Sequence, residues 1–153
     1  MGVWIAVIVV IAAVLLLVVR FTAIGIRMKK SALGRVMALL REVRYNVNTG
    51  KRYGYKGGLK LFRTGVWEIH KHEMDFLPEE TRAGLNDLYE RIYHINEQVQ
   101  TSVEGKGESY LMSVNVDSLM IPLQTSAAQL EQWIKANSDN PEYAPKPANF
   151  FGF

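Results

Sequence analysis

The chain contains no cysteine, so disulfides, thiolate metal sites and thiol nucleophiles are excluded, and the composition suits a reducing compartment. No Gly-x-Ser-x-Gly elbow or Walker-type phosphate loop occurs, and Ser102, Ser109 and Ser113 sit in no strand-turn-helix setting that would activate a hydroxyl. Strand signals are scarce. Tyr110 to Val116 is the one stretch with strand character, and a single strand has nothing to pair with. Histidine is limited to His70, His72 and His94. Two further scarcities are local: charge is missing altogether from Val3 to Val19, and between residues 20 and 63 acid is reduced to Glu42 alone.

What fills the first gap is a run of 17 apolar residues, about 25 Å of helix at 1.5 Å per residue. Phe21, Ile24 and Ile26 lengthen it while Arg20 snorkels, giving a span close to a hydrocarbon core. A cleaved secretory signal would carry a basic start, a shorter apolar core and small residues at its end, whereas this run starts Met-Gly-Val-Trp and ends Val18-Val19-Arg20. One uncleaved transmembrane helix is the expectation.

Residues 20–63 hold twelve Lys and Arg against Glu42, a net charge of +11, and residues 64–153 carry six cations against fourteen acids, a net of −8. Seven of the cations lie between Arg20 and Arg44, where the positive-inside bias is strongest. This predicts an N-terminus outside and a cytoplasmic body, with Arg20, Arg27, Lys29, Lys30 and Arg35 at an anionic inner leaflet. Tyr53 and Tyr55, in the glycine-containing segment Gly50 to Gly58, are expected to anchor at the headgroups. Nucleic acid would need the same charge, but a membrane immediately upstream explains it without a second partner.

Behind the anchor the apolar spacing is helical. Leu33, Val36, Leu40, Val43 and Val47 form one stripe, with Ser31 as cap and Gly50 as terminator. Leu59, Phe62, Val66 and Ile69 repeat the step and can be continued to Phe76, with Gly65 in the middle as a weakness. Leu85, Leu88, Ile92, Ile95 and Val99 follow Pro78-Glu79-Glu80, a helix start, so this helix should run from Pro78 to about Val103. Leu119, Leu123, Ala127, Leu130 and Ile134 make the last stripe, beginning near Pro122 or kinked there. The expected class is all-α, a single N-terminal transmembrane helix followed by a small cytoplasmic bundle of three to four helices in hairpins and an extended tail, divided into an anchor over 1–26, a basic membrane-proximal helix and Gly-rich linker over 27–58, a helical body over 59–137 and a Pro-rich tail with an aromatic end over 138–153. The stripes suit an internal bundle or a homo-oligomeric coiled coil equally.

Catalytic chemistry has little to stand on. Glu68-Ile-His-Lys-His-Glu73, with Glu90 and His94, is the densest set of ligand types, yet it lacks the Glu-x-x-His spacing of di-metal bundles, and His70 and His72 point about 200° apart on a helix. A metal-dependent bundle using His70, His72 and His94 is therefore the alternative, a solvated polar face the expectation, and no cofactor is called for. The tail ends Phe150-Phe-Gly-Phe153 after a Pro-rich leash, and Phe150, Phe151 and Phe153 are expected to dock on a protein partner. Asn140-Pro-Glu-Tyr143 fits a phosphotyrosine-module motif or a simple turn. These readings converge on a non-enzymatic, membrane-tethered adaptor or accessory subunit, with a structural subunit of a large membrane complex as the runner-up.

Overall fold

A computed structural model describes residues 10, 11, 13–20, 22, 31–53, 60–104 and 115–145. The described part is all-helical: α1 (Ala32–Lys51), the short α2 (Gly65–His70) running into a 3-10 turn (Lys71–Glu73), α3 (Glu79–Glu104) and α4 (Asp117–Asn137). Residues 10, 11, 13–20 and 22 are also helical. Among the described residues no helix is long and apolar enough to cross a membrane, and Met1 to Val9 of the expected anchor lie outside them.

Helix α1 begins where its sequence says it should, with the Ser31 hydroxyl accepting from the Gly34 N–H at 3.0 Å. This satisfies one of the donors that a helix start leaves open. α3 begins directly after Pro78, whose missing N–H costs nothing at that place. α4 begins at Asp117, five residues before Pro122, and runs on through it. Pro122 cannot donate to the carbonyl one turn back, and the Ser118 hydroxyl meanwhile donates to the Asn115 carbonyl at 2.8 Å, tying down the start of that helix.

α1 and α4 are antiparallel. A Cβ on Gly50 would lie 2.6 Å from Met120 Sδ at one end, and the Leu33 N–H donates to the Tyr143 carbonyl at 3.1 Å at the other. α3 lies on α4 with Gly84 beside Gln129. Val36, Leu39, Val43, Leu85, Leu88, Ile92, Leu119, Leu123 and Leu130 form one core from which solvent is excluded. The stripes thus close on each other within one chain. α1 contributes to the same core as α4.

The second predicted helix requires correction. Lys60–Thr64 is not helical, and only Gly65–His70 forms α-helix. Phe62 is buried as predicted, but Ile69 is 72% exposed. Leu59 lies outside the described residues. The 3-4-3 spacing was coincidental: this segment is a strap threaded between α1 and α3, and its main chain bonds to side chains of those helices.

Candidate functional site

The strap is held by a polar hub built from three helical side chains. On α1, Glu42 and Asn46 are one turn apart and both buried, beside the Leu39–Val43 stripe. The Asn46 amide donates to the Arg63 carbonyl and accepts from the Arg63 N–H, both at 2.8 Å. Asn96 on α3 does the same to Phe62, accepting from its N–H at 2.8 Å and donating to its carbonyl at 2.9 Å. The two asparagines imitate the neighbouring strands that an extended segment would otherwise require.

Glu42 completes the hub by capping α2 from another helix. Thr64 makes no side-chain cap there, and the Val66 and Trp67 N–H groups instead donate to Glu42 Oε2 and Oε1 at 2.8 and 3.1 Å. The Tyr89 hydroxyl of α3 adds a third bond to Oε1 at 2.9 Å. Burial, followed by the charge of Glu42, pushes the Tyr89 phenol far above its ordinary range. The Tyr89 ring stacks on Trp67 with centroids 4.9 Å apart. The polar side chains of this hub bond to main-chain groups and to one another, so that the buried Glu42 carboxyl fastens α1, α2 and α3 together.

Around the hub several further titratable groups are paired. Tyr93 donates to Glu68, which Lys71 also contacts at 3.1 Å. Burial and the bond to Glu68 raise the Tyr93 phenol, and the same bond, then Lys71, lower the Glu68 carboxyl. Arg35 binds Glu73 at 2.7 Å, and His70 meets the same oxygen at 3.2 Å; these two bonds, Arg35 first, hold the Glu73 carboxyl below its usual range. His94 instead lies 3.1 Å from Gln98 on α3. Among the described residues no three His, Asp or Glu come together as metal ligands, so the alternative that His70, His72 and His94 share a metal finds no such cluster there.

Arg35, expected at the membrane surface, is turned toward Glu73 with its guanidinium 5.5 Å from the Phe76 ring centroid. Tyr53 is half-buried, stacked on Phe62 at 6.0 Å, and its phenol is raised by that burial. Arg20 lies exposed on the N-terminal helical residues. Arg27, Lys29, Lys30, Tyr55, Phe150, Phe151 and Phe153 lie outside the described residues. The Asn140-Pro-Glu-Tyr143 segment is a turn: the Tyr143 N–H donates to the Asn140 carbonyl at 3.2 Å, and the Tyr143 ring lies 5.2 Å from Trp133 and 5.9 Å from Phe76.

A shallow groove of about 380 Å³ runs along α3 beside the start of α4, between His94, Gln98 and Asn115. Its charges are largely spent on each other, since Arg91 binds Asp87 at 2.8 Å one turn away. Set against protein-family models, curated proteins and solved structures, the chain matches none of them.

Proposed function

We propose that this chain is a non-enzymatic, single-pass membrane protein, an adaptor or accessory subunit whose cytoplasmic helical body is held at the inner leaflet and whose aromatic tail engages a protein partner. The observation that carries the tether is the charge-free run Val3–Val19 together with the exposure of its described side chains. Val10, Ile11, Val14, Leu15, Leu16, Leu17, Val18 and Val19 are each more than half exposed on helical backbone. Apolar groups exposed on every side of a helix are costly in water and at home in lipid. The basic residues that follow favour a cytoplasmic body. The adaptor role is supported by the way buried polar groups are used, since Glu42, Asn46 and Asn96 fasten helices together and yield a rigid surface for contact.

Alkaline extraction of membranes from cells producing the full chain tests the tether. The intact chain should remain with the membrane, while Leu15→Arg with Leu16→Arg should be released, because each mid-bilayer charge costs about 3 kcal/mol. Release of the intact chain contradicts the reading. Removing Phe150 to Phe153 should leave membrane retention unchanged and reduce recovery of the co-purifying partner; undiminished recovery contradicts the docking role.

A further inference from the structure

We propose that the outer face of α1, completed by Arg63 from the strap, docks on anionic phospholipid headgroups. Met37, Arg41, Arg44, Asn48 and Lys51 are the exposed residues of α1, followed by the exposed C-cap Arg52, and their spacing puts them on one side of the helix. None is acidic, and Glu42, the one acid of α1, points into the hub. The strap then adds a cation that is distant in sequence. With its main chain gripped by Asn46, Arg63 lies with its guanidinium 3.7 Å from the Tyr45 ring centroid. Tyr45 is one turn from Arg41 and adjacent to Arg44, so an aromatic ring sits amid cationic groups, the composition that favours a headgroup layer.

Among the described residues only Arg44 of these cations has an acidic partner, Glu131 at 2.9 Å, with both side chains about half exposed. Arg41, Lys51, Arg52 and Arg63 make no ion pair among the described residues. The exposed surface of α3 is opposite in character, with Glu79, Glu80, Asp87, Glu90 and Glu97 exposed and its Arg82 and Arg91 bound to Asp75 and Asp87. A negatively charged plane attracts α1 and repels α3, which fixes the orientation of the body. Lipid is favoured over nucleic acid because only the twelve residues 20–31 separate the apolar run from α1, a leash that keeps this face at the bilayer; to that extent the inference rests on the tethered reading. Of the membrane-contact residues expected from sequence, Arg35 is engaged with Glu73 and Tyr53 with Phe62.

The absence of cysteine permits a clean test. The full chain carrying Asn48→Cys, labelled with a fluorophore, is reconstituted with phosphatidylcholine vesicles containing or lacking phosphatidylserine and a headgroup-attached quencher; Glu97→Cys on α3 serves as the comparison. Quenching at position 48 should require phosphatidylserine, the probe at position 97 should stay bright, and each of Arg41→Gln, Arg52→Gln and Arg63→Gln should lower the docked-to-undocked ratio about fivefold. A probe at position 48 that stays bright with phosphatidylserine, equal quenching at both positions, or a response to duplex DNA in place of vesicles overturns the inference. Flotation with pure phosphatidylcholine vesicles in high salt reports the tether separately. A chain that floats with a bright probe at 48 loses only the docking face, and one that fails to float yet is quenched by phosphatidylserine loses only the tether.

Discussion

Glu42 stands alone as an acid among twelve cations, and it occupies the place where three elements meet. Its two oxygens accept from Val66, Trp67 and Tyr89, so Glu42→Ala strands three donors in an apolar setting. The expected loss is about 3 to 5 kcal/mol, read from denaturant unfolding of the full chain, with Glu42→Gln losing less because its amide oxygen still accepts. Equal stability of Glu42→Ala and the parent would remove the hub from the account. Tyr89 adds a pH signature. Its phenol keeps its proton in the folded chain beyond the pH at which the unfolded chain releases one. Above about pH 10 the unfolded state therefore binds fewer protons, and stability falls as pH rises. Melting across the alkaline range should show this fall, and Tyr89→Phe should lessen it, leaving the contributions of Tyr93 and Tyr53, whose phenols are raised in the same direction. An unchanged slope in Tyr89→Phe contradicts the assignment.

At the scale of elements, α3 is the clearest case of apolar period becoming structure. Leu85, Leu88, Ile92, Ile95 and Val99 are all buried, and Ile92→Asp should cost several kcal/mol, enough to unfold most of the body in a thermal melt followed by circular dichroism. Parent-like melting would mean that the stripe is not core. α1 and α3 were legible because caps, proline and period agree there, placing α1 within a residue or two of its observed ends. The strap was not legible, because Phe62 and Val66 occur at helical spacing and period counts only apolar side chains. What decides the conformation of residues 60–64 is that Asn46 and Asn96 claim the main chain of Arg63 and Phe62, and both asparagines lie far away in sequence. Tyr89 and Asn46, fully buried, were missed for the same reason: each gains its partner only through tertiary contact. The isolated acid in a basic block was the available signal for Glu42, since such a residue has no local repulsion to relieve and is best explained by a specific bond. The cationic character of residues 20–63 was plain in the sequence; which cations face outward was not, because Arg35 is drawn off by Glu73 and Arg63 is brought in by the strap.

For the whole molecule, the chain divides into a basic N-terminal part and an acidic remainder, and the bundle turns that linear asymmetry into faces, with α1 presenting cations and α3 presenting acids. This polarity gives the proposed tether a consistent geometry: apolar helix in the bilayer, α1 toward the headgroups, α3 toward solvent. Limited proteolysis of washed, sealed membrane vesicles of known orientation, from cells producing the full chain with an epitope after Phe153, tests that arrangement most directly. The account predicts that the epitope and body are digested in inside-out vesicles and protected in right-side-out ones, with a fragment containing Val3–Val19 retained in the membrane in the first case. Digestion of the body from the outer face, or no membrane-retained fragment, would contradict it.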